Sequence, residues 1–187
     1  MAYKLGLLPD KWHGIAQTHE QNARFWLWRE LVDDPRGYFR VSPMPSEKEL
    51  DQYYSEFYWT AFRGKGRDCL LRHRDVHHWR EILELFGGAA PASLFNFGAG
   101  HGGVSLLAAA AGARVVNFDP GNRVDFPGIE NAEGLSSTRG QFDLVYSSHS
   151  IEHVREPDET MNALVSLLKP GPCVSTSLPT APDRFYL

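Results

Sequence analysis

The sequence predicts an α/β fold: an open sheet of about five mainly parallel strands with flanking helices, preceded by a helical, aromatic-rich N-terminal segment. Three observations carry that prediction. Beyond residue 90, short apolar runs closed by Gly, Pro or Asp alternate with longer stretches of helical period, the order expected of a parallel sheet. Residues 93–103, SLFNFGAGHGG, lead from a buried-strand pattern through glycines into the alanine-rich stretch 104–111, giving the strand, tight turn and helix that receive a nucleotide. About half of the aromatic residues lie in the first 62 positions, a density that suits either the core of a small helical appendage or a lid over a ligand.

Bulk properties set the frame. A chain of 187 residues, 42% of them hydrophobic, can bury one good core, so we expect a core over residues 68–187 with an N-terminal segment or lid over residues 1–67. The net charge of -4 offers no electrostatic footprint for nucleic acid or for an anionic membrane, and favours a small-molecule substrate. Cys69 and Cys173, without metal-site spacing, read as free thiols of a reducing compartment. No apolar run reaches the roughly 18 residues that span a bilayer, and the opening MAYKLGLLPDKWHG has too short an apolar core for a signal peptide, so the expected location is cytoplasmic.

Taken in order, residues 1–15 read as an irregular arm. Thr18 and Gln21 form a capping-box pattern, and Phe25, Trp26, Trp28, Leu31 and Val32 predict a helix ending before Pro35. An extended piece over residues 38–41 follows. Ser46 and Glu49 are a second capping box, opening a helix over SEKELDQYYSEFYW. RGKGR at residues 63–67 reads as a solvated basic loop. Residues 68–86 predict an amphipathic helix with Val76, Trp79, Leu83 and Phe86 on its apolar face and Gly87-Gly88 at its C-terminus. His73 and His77 share a face of that helix, but no third ligand is near in sequence, which makes them surface histidines.

RVVNF at residues 114–118 is a second core strand, followed by Asp119. Asp119 lies 21 residues beyond Gly98 (119 − 98), where nucleotide folds place an acid that accepts the ribose hydroxyls. Residues 119–142 lack an apolar helical face, so the usual crossover helix is expected to be short or missing, with a brief third strand at 129–131. FDLVYS at 142–147 predicts a fourth strand, and residues 157–168 a helix with Pro157 in its first turn and Met161, Leu164, Val165 and Leu168 facing inward. Residues 173–178 complete five strands. The glycines by themselves leave two cofactors open. Gly98, Gly100 and Gly103 satisfy the dinucleotide pattern G-x-G-x-x-G, while Gly98, Gly100 and Gly102 satisfy the G-x-G-x-G of S-adenosylmethionine (SAM) enzymes.

The second half of the chain separates them. FDLVYSSHSIEHVREPDETMNALVSLLKPGP, taken with FNFGAGHGG and NFDP, resembles the Rossmann-like core of class I SAM-dependent methyltransferases over about residues 92–180. PSEKELDQYYSEFYW is similar to the segment ahead of that core in bacterial small-molecule and sugar methyltransferases. The resemblance implies a SAM cofactor, with S-adenosylhomocysteine as product, and a small-molecule acceptor, a sugar or natural-product intermediate among the candidates. It sets the methionine part of SAM against Gly98, Ala99, Gly100 and Gly102, with Asn96 just ahead of the turn, and the ribose on Asp119. Adenine falls near Pro120 and the run Asn131, Ala132 and Glu133. Ser147 and Ser148 face the cofactor, and Tyr58 closes over it.

Three departures from the family pattern stand out. Asn96 replaces the usual acid, Pro-Gly-Pro replaces Pro-Gly-Gly after Lys169, and the sequence stops after the fifth strand, where the family adds two more. An uncovered fifth strand invites pairing, so a homo-oligomer covering that edge is an expected partner. It also motivates the rival reading, a non-catalytic SAM-binding or partner subunit. For the enzyme reading, His149 faces the acceptor, and His149 or His153 is the candidate catalytic base, since imidazole titrates near neutrality. His149, Glu152 and His153 also spell H-x-x-E-H, a metal pattern in other contexts, but they follow a strand in a loop and we assign them no metal.

Overall fold

The computed structural model describes residues 29–37, 39–58, 71–121, 125–135, 141–170 and 175–177. They fall into two compact units, one containing residues 29–58 and the other running Gly66–Thr180. The expected N-terminal arm, the basic loop at 63–67, Cys69 and Cys173 lie outside the described residues.

In the first unit, β1 (Glu30–Asp33) and β2 (Phe39–Ser42) pair antiparallel, with Glu30 opposite Ser42 and Asp33 opposite Phe39. The helix expected to run up to Pro35 is therefore a strand at its end. The turn explains the change: Gly37, at φ +91°, donates its N–H to the Asp34 carbonyl at 2.9 Å. The Asp34 carboxylate accepts from the Arg36 amide at 3.0 Å and from its guanidinium at 2.8 Å. Once the chain is reversed, strand pairing satisfies backbone groups that a helix cut by Pro35 would leave open. The Arg36 hydrogen bonds also hold the pKa of Asp34 at about 2. The extended piece before Ser42 is β2, as expected.

α1 (Glu47–Gln52) carries both halves of the predicted capping box. Glu49 N–H donates to Ser46 Oγ at 3.3 Å and Ser46 N–H to the Glu49 carboxylate at 2.8 Å. The single helix expected here changes register after Gln52, continuing as a π-helical turn, Tyr53–Tyr58. Arg29, buried, ties α1 to the hairpin region by donating to the Pro43 carbonyl at 3.2 Å and to Glu49 at 3.0 Å.

The second unit follows the predicted alternation: α2 (His73–Leu85), β3 (Ser93–Phe97), α3 (Gly103–Ala110), β4 (Arg114–Phe118), β5 (Ile129–Asn131), β6 (Leu144–Ser148), a 3₁₀ turn Ile151–His153, α4 (Pro157–Ser166) and β7 (Ser175–Ser177). The sheet order is β5-β4-β3-β6-β7 and every neighbouring pair is parallel. β3 is central and buried along its whole length. Alternate side chains feed two cores. Leu94, Val115 and Leu144 pack with Trp79 and Ile82 of α2 and Val104 and Ala108 of α3. Phe95, Val116 and Val145 pack with Phe142 and with Leu164 and Leu167 beside α4.

Two helix faces sit about a residue away from expectation. On α2, Trp79 and Ile82 are buried while Val76 is exposed. On α4, Leu164 and Leu167 are buried while Val165 is 49% exposed. In each case the sheet selects which side of a broad apolar stripe faces inward. α2 closes as predicted: Gly88 N–H donates to the Leu83 carbonyl at 2.7 Å and Gly87 N–H to Glu84 at 3.2 Å, both glycines having positive φ. No helix lies between β4 and β5 among the described residues.

Candidate functional site

Because all the strands of the second unit run the same way, β3, β4, β5 and β6 end on one edge of the sheet. The chain moves from β3 outward through β4 and β5, then returns to the other side of β3 for β6 and β7. Ligands of open parallel sheets bind beside such a reversal, outside the strand ends.

The glycine turn sits there. Gly98, Gly100 and Gly102 take φ of +69°, +57° and +72°, a region closed to most side chains. Gly98 N–H donates to the Phe118 carbonyl at 2.7 Å, joining the turn to the end of β4, and Gly102 N–H donates to Ala99 at 2.8 Å. Space is as demanding as angle. A side chain at Gly98 would run into Ser150, and one at Gly102 would meet the Phe126 ring at 2.9 Å. Gly103, the third glycine of the dinucleotide pattern, has a packing reason of its own: a side chain there would run into the Asp75 carboxylate of α2.

Asp119, just past β4, is fixed from both sides. One carboxylate oxygen accepts the Gly100 N–H at 2.9 Å and the other the Gly121 N–H at 2.9 Å. Beyond it, Pro120 is exposed, Asn131 and Ala132 are half-buried at the end of β5, and Glu133 is exposed. Ala132 N–H donates to the Asn117 carbonyl at 2.7 Å.

Beneath the turn lies a buried polar chain. Asn96 Nδ2 donates to Ser105 Oγ at 2.8 Å, and Ser105 Oγ donates to Asn117 Oδ1. Asn96 and Asn117 are register partners on neighbouring strands, and all three residues are buried. Asn117 Nδ2 has no hydrogen-bond partner among the described residues. The amide at position 96 is thus turned to α3. Sequence reading missed Ser105 and Asn117; the available signal was two amides at equivalent places in otherwise apolar strands.

The loop after β6 supplies the remaining candidates. Ser147 is buried, its Oγ without a partner among the described residues, and Ser148 is half-buried. Ser150 Oγ donates to the Ser148 carbonyl at 3.1 Å and reaches the Gly98 carbonyl at 3.4 Å. His149 is exposed, with φ +54°, and its Nδ1 lies 3.6 Å from Glu152 Oε1. His153 is exposed at the end of the 3₁₀ turn. Behind the sheet, His78 Nδ1 lies 2.6 Å from the Tyr146 hydroxyl. Tyr58 ends the π-helical turn of the other unit. No group of three or more His, Cys, Asp or Glu residues is placed to hold a metal ion among the described residues.

Residues 70–185 match the family described as methyltransferase domain. The chain belongs to this methyltransferase family. Curated relatives of this methyltransferase-domain chain include the ubiquinone biosynthesis O-methyltransferases of Aromatoleum aromaticum, 34% identical over 86 residues, and of Azoarcus sp., 32% identical over 103 residues. The matches cover 46% and 54% of the chain and 37% and 44% of those enzymes, so the chain spans less than half the length of each. Among solved structures, 1,6-didemethyltoxoflavin-N1-methyltransferase of Burkholderia thailandensis, determined with 1,6-didemethyltoxoflavin and S-adenosylhomocysteine, shares the fold. Its TM-score is 0.53 at 18% identity, covering 79% of this chain and 71% of that one.

The methyltransferase fold is a SAM-dependent one, which settles the choice between the two cofactors in favour of SAM. The strand ends fit that cofactor on two counts. A carboxylate is fixed beside the glycine turn at the tip of β4, and a buried hydroxyl, Ser147 Oγ, at the end of β6 has no partner among the described residues.

Proposed function

We propose that this chain binds SAM across the ends of β3, β4, β5 and β6 and directs its methyl group to a small-molecule acceptor. The observation that carries the reading is the Asp119 carboxylate, tied by the Gly100 N–H to the glycine turn and so held at one spacing from it. In this reading Gly98, Ala99, Gly100 and Gly102 receive the methionine part, and Asp119 accepts the ribose hydroxyls. Pro120 with Asn131, Ala132 and Glu133 borders the adenine, while Ser147 and Ser148 line the cofactor side of the β6 loop.

Bound SAM supplies a methyl group on a sulfonium, an electrophile that needs alignment and exclusion of water more than covalent assistance. The work of the protein is then to hold the acceptor in line and to remove its proton. His149, exposed and next in sequence to the Ser150 that reaches the Gly98 carbonyl, takes the base role. The names of the curated relatives favour an oxygen acceptor.

Titration calorimetry of the full chain with SAM and with S-adenosylhomocysteine tests the reading. The wild type should bind both. Asp119→Ala should weaken S-adenosylhomocysteine by at least about tenfold, since hydrogen bonds to a charged group contribute about 1.5–3 kcal/mol. No binding of either compound would overturn the proposal, and binding without transfer to any hydroxyl acceptor would leave a SAM-binding subunit in its place.

A further inference from the structure

The loop after β6 holds two features that the fold alone does not demand. His149 sits at φ +54°, a left-handed conformation disfavoured for any residue with a side chain. Three residues later, Glu152 has one carboxylate oxygen, Oε2, shut off from solvent with no hydrogen-bond partner among the described residues. Withdrawing a carboxylate from water is unfavourable unless a positive or donor group faces it. The other oxygen, Oε1, lies 3.6 Å from His149 Nδ1, so the imidazole stands beside this carboxylate. The side chains differ in setting: 47% of His149 is exposed, against 14% of Glu152. His153 also lies within electrostatic reach of the same carboxylate. Ser150 pins this loop to the glycine turn through the Gly98 carbonyl, so His149 is held one residue from the point where loop and turn touch.

We propose that Glu152 is the positioning residue for His149: its carboxylate draws the Nδ1 proton, leaving the Nε2 lone pair to receive the proton of the acceptor. The proposal rests on the methyl-transfer reading above. In the transfer, the acceptor hydroxyl oxygen forms the new bond to the methyl carbon. The carbon–sulfur bond breaks with its electron pair going to sulfur, and the hydroxyl proton passes to His149 Nε2 and from there to solvent. The separation of 3.6 Å is ion-pair range, and such contacts tighten as charge develops on the ring. Glu152 then stabilises the imidazolium without taking the proton, the division of labour seen where a buried carboxylate orients a histidine base.

The test reads the tautomer directly, by nitrogen NMR of the full chain labelled at histidine, with His149→Asn to assign the ring. Above neutral pH the wild type should show the Nδ1–H form. Glu152→Ala should pass to the Nε2–H form that an unconstrained imidazole prefers, while Glu152→Gln, which keeps an acceptor oxygen, should retain Nδ1–H. Affinity for S-adenosylhomocysteine should change less than about threefold in either variant. An Nε2–H ring in the wild type overturns the proposal whether or not the variants fold. So does a Glu152→Ala spectrum in which His149 is unchanged and only His153 responds, or a tenfold loss of S-adenosylhomocysteine binding. Failure of the wild type to bind S-adenosylhomocysteine would remove the methyl-transfer reading instead, and the tautomer of the free protein separates the two.

Discussion

Gly98→Ala probes the joint between the glycine turn and the β6 loop. Gly98 has φ +69°, and an added Cβ would overlap both the Oγ and the Cβ of Ser150. The left-handed backbone costs an alanine about 1–2 kcal/mol. Ser150 must also move, giving up its bonds to the Gly98 and Ser148 carbonyls, at 3.4 Å and 3.1 Å, each worth about 0.5–1.5 kcal/mol. The substitution should therefore destabilise the second unit by about 2–5 kcal/mol. Hydrogen exchange at the Phe95 and Val145 amides, register partners within β3 and β6, reports that unit by itself. Ser150→Gly separates the two contributions. It clears the collision and leaves only the backbone strain, so the double variant should recover about 1 kcal/mol or more relative to the sum of the single changes. Additivity within about 0.5 kcal/mol would refute the reasoning, because the two positions would then not share the space.

Two further predictions follow from the packing. Leu167→Ala should cost about 2–5 kcal/mol in urea unfolding, whereas Val165→Ala should stay within about 0.5 kcal/mol; Leu167 is 0% exposed and Val165 49%. Equal effects would return the α4 face to the sequence-based assignment. Burial lowers the pKa of His78 below its ordinary 6.5. The unfolded chain then binds that proton more tightly than the folded one, so stability is complete above the ordinary value and falls as pH drops below it. Urea unfolding at pH 5 and pH 7.5 should show this loss, and His78→Gln should reduce it; an unchanged pH slope in the variant would remove His78 as a source.

Much of the second unit was legible in the residues. β3, the glycine turn, β4, the brief β5 and the lack of a crossover helix among the described residues between β4 and β5 all follow from local signals: apolar runs too short for helices, glycines, and a stretch without an apolar face. The capping box at Ser46 and the paired glycines after α2 were equally local, since each depends on groups within six residues of one another. The first unit was harder. Residues with helical spacing before Pro35 end in a strand because the Asp34-Pro35-Arg36-Gly37 turn brings β2 alongside, and a pairing partner is not visible in a periodicity.

For the candidate site, residue order was sufficient to bring the glycine turn and Asp119 together at the strand ends, where Gly100 N–H donates to the Asp119 carboxylate. The residue types at those positions have few other uses in that order: glycine where φ is positive, a carboxylate where a strand ends. What only the tertiary structure decided is how the cradle is supported. Asn96 turns toward Ser105 and Asn117, Gly98 makes room for Ser150, Gly103 makes room for Asp75, and Glu152 stands against His149. Apart from the last, these partners come from different elements, and His149 and Glu152 stand 3.6 Å apart in a loop whose His149 is left-handed. The physical reason is the same throughout. A backbone preference is written in a few adjacent residues, whereas the room a side chain occupies and the group that answers its charge are set by whichever strands and helices the sheet order brings beside it.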